Sequence, residues 1–177
     1  RSWFASGPAS TNINDLNSPA IAIPGSASNL TFSFWHRYDL QSGRDGGLLE
    51  FSIDGGAWFD VTSSGSGAAF GTGGYNSSFS TTGNPNTRNP LAPRACWTGA
   101  TTAFSQVVVN LTDNAKYAGH SLRVRWRLAT NSSTASTGWY IDDITLNGGG
   151  ASDLLLGGTG DDVYFIENTD DRLTENV

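Results

Sequence analysis

"SLRVRWRLAT", residues 121–130, sets Leu122, Val124, Trp126 and Leu128 against Arg123, Arg125 and Arg127 in strict alternation. Successive side chains of a β-strand point to opposite faces, so one side of this segment is apolar and the other carries a row of guanidiniums. A helix would scatter the same residues around its circumference. The pattern therefore predicts a half-buried strand whose apolar side meets a core.

Working outward, the same period of two recurs in "LTFSFWHRYDL" (30–40), "GLLEFSID" (47–54), "AWFDVT" (57–62), "FSQVVVNLT" (104–112) and "GWYIDDITL" (138–146), with Gly, Ser, Asn and Pro between them. No stretch offers a convincing helix. Amphipathic strands in this number bury their apolar sides by stacking two sheets, so the expected fold class is all-β, a two-sheet antiparallel sandwich. The connection from Ser63 to Pro93 is longer than ordinary loops. It is expected to be functional, ordered by an ion, or partly strand.

Alternation also assigns faces. Phe32 and Phe34 oppose Ser33, Trp35 and Arg37; Leu49, Phe51 and Ile53 face the core and leave Glu50 and Ser52 outside with the arginines. If these strands share one sheet, Trp35, Arg37, Glu50, Arg123 and Arg125 make a mixed aromatic and charged platform of the kind that stacks sugar rings and bonds their hydroxyls. The alternative is cross-strand ion pairing of Glu50 with Arg123 or Arg125, the tryptophan merely covering the sheet. Tyr75, in "GGYNSS", either adds to the ligand surface or anchors its loop on the core, as Trp97 does in the same reading.

At 177 residues and 37% hydrophobic content the chain can bury one sizeable core, which gives a main domain over 1–147 and a separate segment over 148–177. There are 10 basic and 16 acidic residues, and from Gly148 onward seven acids face only Arg172. The whole surplus of −6 thus sits in the tail, which suits divalent cations and repels nucleic acid. Cys96 is the single cysteine, so no intrachain disulfide forms, and its neighbours Ala95 and Trp97 make it a buried filler. No apolar run is long enough to span a membrane, no signal peptide opens the chain, and Arg1 implies a piece of a longer protein.

Catalytic constellations are not found. His36 sits among core phenylalanines and reads as structural; no serine lies in a G-x-S-x-G elbow, and "GSGAAFGTGG" has no phosphate-loop lysine after it. Zinc is disfavoured because the two histidines, His36 and His120, are far apart. The chain is therefore expected not to be an enzyme.

The tail changes period. "GGGASDLLL" and "GGTGDDVYF" (148–165) are abutting blocks of nine with glycines first, Asp153 or Asp162 sixth and an apolar residue eighth. They resemble the calcium-binding nonapeptide repeats of RTX proteins, in which six residues form an ion-binding turn and three a short strand. That resemblance implies a short C-terminal β-roll stub holding Ca2+ through Gly158, Gly160, Asp153 and Asp162. Two blocks make only half-sites, so further repeats or docking on the sandwich must complete them.

The body carries a second resemblance. "LTFSFWHRYDLQSGRDGGLLEFSIDGGAWFDV", "GGYN", "NPLAPRACWTG" and "GWYIDDITL" are similar, in that order, to bacterial extracellular jelly-roll domains related to MAM domains, found in secreted proteases such as immune inhibitor A and in surface proteins. This implies a jelly-roll sandwich with calcium at its loop edges. Matching oxygen donors are Asp45 in "RDGG", the adjacent Asp142 and Asp143, of which at least one should lie in or beside the core and need a partner, and Asp15.

Together these readings give a non-catalytic, calcium-stabilised binding module of a secreted bacterial RTX protein, exported by type I secretion and located outside the cell. Its expected partners are a carbohydrate or cell-surface ligand and the catalytic or adhesive domains of the same polypeptide, without nucleic acid or membrane insertion. The alternative is a structural accessory domain of a secreted hydrolase with no ligand of its own.

Overall fold

The computed structural model describes residues 2–84 and 86–149, and beyond them the backbone of three short strands. In chain order the elements are β1 (Trp3–Gly7), β2 (Asn12–Asn17), β3 (Ile21–Ala22), β4 (Ser28–Asp39), β5 (Gly46–Ile53), β6 (Phe59–Asp60) and β7 (Ala68–Thr72). There follow β8 (Ser77–Ser78), β9 (Ala95–Cys96), β10 (Ser105–Leu111), α1 (Asn114–Tyr117), β11 (Ser121–Thr130) and β12 (Ser136–Gly149). The three strands of the tail are β13 (Leu154–Leu156), β14 (Phe165–Ile166) and β15 (Arg172–Thr174).

Two sheets form the sandwich. The first runs β1-β12-β4-β10-β7 and the second β2-β11-β5-β6, with β3 on β11. All the neighbours named are antiparallel. The chain keeps switching layers, with β4 in the first sheet, β5 in the second, β10 in the first, β11 in the second and β12 back in the first. That interleaving makes the fold jelly-roll-like. The long connection contains β7 and β8, so it is partly strand.

Alternation builds the core as the sequence predicts. Leu30, Phe32, Phe34, His36 and Tyr38 of β4 point inward, and so do Leu122, Val124, Trp126 and Leu128 of β11. Phe34 meets Trp126 edge-on at 5.6 Å, and Phe32 meets Phe51 at 5.7 Å across the two layers. Each such side chain contributes about 1.5–3 kcal/mol by leaving water, so these contacts rather than hydrogen bonds set the pairing of the layers. Trp97 and Trp139 fill one end of the core, each 1% exposed or less.

Gly47 shows why "RDGG" needs its glycines. A Cβ there would lie 2.5 Å from the Trp139 ring, and one at Gly46 would lie 2.8 Å from Cys96 Sγ. The two glycines open β5 and let it pass under the indole and the thiol, so close approach, not only a turn, demands them.

β5 is buried on both sides. A satellite cluster of Leu48, Phe79, Cys96 and Ala129 covers part of its outer surface. Asn89 fastens the covering loop, its Nδ2 donating to Arg44 O at 2.9 Å and Ala129 O at 2.8 Å.

In the tail, β14 pairs in parallel with Leu146 and Asn147 of β12, and β13 pairs in parallel with β15. The proposed ion ligands Asp153, Gly158, Gly160 and Asp162 lie outside the described residues. Among the described residues no helix is long and apolar enough to cross a membrane.

Candidate functional site

The platform expected from sequence is divided by the topology. β4 carries Trp35 and Arg37 on the outer face of the first sheet, whereas Glu50, Arg123 and Arg125 lie on the second, on β5 and β11. The two groups face opposite directions, because consecutive strands β4 and β5 go to different layers.

On the second sheet the ion-pairing alternative holds. Arg125 lies directly across from Glu50 in register, and its Nε donates to Glu50 Oε2 at 2.7 Å. Arg94 reaches the same carboxylate at 2.6 Å and Asp60 at 3.0 Å. Arg127 grips Asp15 with two parallel bonds of 2.9 and 2.8 Å. Trp58 lies against this network with Arg125 4.3 Å from its ring centre and Arg123 at 5.7 Å. Glu50 is only 3% exposed. Its charge is therefore compensated by arginines rather than offered to a ligand.

Tyr75 belongs to the core margin. Its hydroxyl accepts from Leu49 N at 2.9 Å and approaches Leu49 O at 3.2 Å, while its ring meets Trp97 at 4.6 Å. Trp97 in turn donates Nε1 to Gly73 O at 2.8 Å. Both are loop anchors.

The outer face of the first sheet is open. Among the described residues the exposed large apolar side chains are Phe4 at 45%, Ile13 at 37%, Trp35 at 38% and Phe104 at 39%, and three of those four belong to this sheet or its immediate approach. Phe4 on β1 pairs with Tyr140 on β12, their rings 4.6 Å apart, and Tyr140 pairs with Arg37, whose guanidinium lies 5.5 Å from the Tyr140 ring centre. One pleat along β4, Trp35 is flanked by Asp142 on β12 and Gln106 on β10. Phe104 leads into β10 two residues before Gln106.

A β-bulge shapes the edge of this face. The β12–β4 register shifts between Asp142 and Thr145, and Asp143 takes a left-handed conformation with φ 49°. Asp142 Oδ1 accepts the Asp143 backbone N–H at 3.0 Å and so holds the bulge. Of the expectation that one of these carboxylates lies in or beside the core and needs a partner, the core position does not hold, Asp143 being exposed and Asp142 half-buried on the outer side, and the partner is the Asp143 backbone amide. Asp142 Oδ2 has no hydrogen-bond partner among the described residues and stands beside Trp35.

The expected calcium ligands are not brought together. Asp15 is occupied by Arg127, Asp142 and Asp143 are at the bulge of the other sheet, and Asp45 is at the start of β5. Among the described residues no three His, Cys, Asp or Glu side chains cluster as a metal site. Asp45 differs from the other three in its burial. It is fully buried, Oδ1 accepts Asn131 N at 2.8 Å, and Oδ2 is sealed from solvent with no hydrogen-bond partner among the described residues. Burial raises its carboxyl pKa, with the backbone amides of Asn131 and Gln41 pulling it down. An oxygen in that position is costly to bury as a charged group without a proton or a cation on it.

His36 and Cys96 are shielded groups. Burial drops the His36 pKa to about 4 and lifts the Cys96 thiol to about 12. His36 Nδ1 accepts from Trp139 Nε1 at 3.3 Å, which requires the neutral ring.

Sequence reasoning missed Phe4, Tyr140, Gln106 and Phe104. For Tyr140 the signal existed: "GWYIDDITL" puts Tyr140 and Asp142 opposite Trp139 and Ile141. No protein-family model matches the chain, and no curated protein matches it.

Proposed function

We propose that the chain is a non-catalytic, extracellular binding module that recognises a carbohydrate through the outer face of its first sheet. The observation that carries this reading is the grouping of Phe4, Tyr140 and Trp35 with Arg37, Asp142 and Gln106 on one open surface. Pyranose rings present an apolar face of C–H groups that stacks on aromatic rings and an equatorial rim of hydroxyls that needs carboxylate, amide and guanidinium partners. Both kinds of group alternate here. Trp35 and Tyr140 are diagonal neighbours across β4 and β12, about 7–8 Å apart, so one short saccharide spans both.

Asp45 Oδ2, unpartnered among the described residues, supports a calcium ion as the structural cofactor of the sandwich, and the RTX-like tail supports further ions and export by type I secretion. The other domains of the same polypeptide are then the partners it delivers to a surface.

A glycan array followed by calorimetric titration of the best saccharide tests the reading. Trp35→Ala should weaken binding at least tenfold while the melting temperature stays unchanged. Silence of the whole array, or equal affinity of the Trp35→Ala variant, overturns it. For the ion, chelation should lower the melting temperature and added calcium restore it in the parent but not in Asp45→Asn.

A further inference from the structure

Away from the sheet face, a cavity of about 450 Å³ opens between residues 41–44, 83–84, 87–88 and 131–133. Its lining side chains are all polar and include Arg44, Arg88, Asn84 and Asn131. Each arginine is steered by one Nη1 bond to a loop carbonyl: Arg44 to Thr82 O at 2.8 Å and Arg88 to Thr81 O at 3.2 Å. Among the described residues neither is ion-paired.

The carboxamides complete the pattern. Asn84 Oδ1 accepts the Asn86 backbone N–H at 2.9 Å, and Asn131 Oδ1 accepts the Ser133 backbone N–H at 3.0 Å. A backbone N–H can only donate, so each bond fixes which amide atom is the oxygen and leaves the NH2 as the free end. The cavity thus offers amide and guanidinium donors, while the Asn84 and Asn131 carboxamide oxygens each already accept a backbone N–H. Asp45, the nearest acid in sequence, is fully buried, with Oδ1 held by Asn131 N.

We propose that this cavity is an oxyanion site that takes the carboxylate or sulfate group of an acidic saccharide. Two guanidiniums unpaired with an acid among the described residues, joined by fixed amide donors, recognise such a group through charge-assisted bonds, and the volume accommodates the sugar ring that carries it. The saccharide part rests on the carbohydrate reading above; the anion part does not.

Calorimetric titration separates the two, using digalacturonate, a sulfated disaccharide, a neutral disaccharide and inorganic sulfate. An acidic disaccharide should bind at least tenfold more tightly than the neutral one. That advantage should vanish in Arg88→Gln and Arg44→Gln, shrink with added salt, recover in part in Arg88→Lys, and persist in Trp35→Ala. Melting curves of each variant confirm that the loops still fold. Binding of inorganic sulfate alone, lost in Arg88→Gln, upholds the oxyanion site and overturns its assignment to a saccharide. Equal binding of acidic and neutral disaccharides, an advantage that survives both glutamine variants, or no binding of any anion overturns the inference.

Discussion

The outer face of the second sheet and the outer face of the first start from the same alternation and end in opposite states. On the second, Arg94, Arg125 and Arg127 meet Glu50, Asp60 and Asp15, and a loop seals part of the surface. On the first, aromatic rings stay in water and Asp142 keeps an oxygen free among the described residues. An outward row of charges is therefore not in itself a binding surface. It becomes structural when neighbouring strands and loops supply the opposite charge, and it stays available when they do not.

The strongest test of this contrast is Glu50→Gln. It leaves Arg94 and Arg125 facing a neutral group at a site that is 3% exposed. Breaking a buried ionic network by removing one partner costs about 3–5 kcal/mol, so the urea midpoint should fall steeply. Asp142→Asn, on the open face, should change stability by no more than about 0.5 kcal/mol while weakening saccharide binding. Equal destabilisation by the two variants would erase the distinction between the faces.

Next in size is an effect on the inner side of the open sheet, where β4 turns His36 into the core between Trp35 and Arg37. Burial lowers its folded-state pKa from 6.5 to about 4. In that interval the unfolded chain takes up a proton that the folded one refuses, so stability is intact above about pH 6.5 and declines as the pH falls toward 4. The loss is about 3 kcal/mol, because each tenfold drop in proton affinity on folding is worth about 1.4 kcal/mol. Urea titrations at several pH values should show it, and His36→Gln should flatten that part of the profile. A flat profile in the parent protein would mean that the imidazole is not shielded.

On the open face itself, Tyr140→Ala should cost about 1–2 kcal/mol of saccharide affinity, because it removes a stacking ring together with the partners of Phe4 and Arg37. Arg123→Ala, on the closed face, should leave affinity untouched. Titration of both variants with the same saccharide measures the contrast directly, and a reversed order would move the site to the second sheet.

The divided platform shows what could be read beforehand. Alternation in residues 30–40 and 121–130 places Phe32 and Phe34 of β4 and Leu122, Val124, Trp126 and Leu128 of β11 inward, as found, since side-chain direction is a local property of an extended chain. Which strands become neighbours is not local. β4 and β5 follow one another yet enter different layers, so alternation alone groups Trp35 with Glu50 although they face apart. Trp58 and Arg94 arrive from loops, and the bulge at Asp142 appears only once β12 must keep register with β4. The shielding of Glu50 had the same origin, since a loop with no hydrophobic period gives no sign of where it will lie.

Tyr75 offers the smallest and most discriminating effect, because sequence allowed it either role. Its hydroxyl lies against both polar backbone atoms of Leu49, and its ring packs on Phe70 and Trp97. Tyr75→Phe keeps the ring and removes only the oxygen, leaving Leu49 N without that acceptor at a cost of about 1 kcal/mol. The midpoint should shift slightly and saccharide affinity not at all. A ligand contact would give the reverse, weaker binding at constant stability, since a hydroxyl turned toward a sugar is not also satisfying β5. Measuring both quantities on this one variant therefore decides whether the loop belongs to the closed architecture or to the open surface.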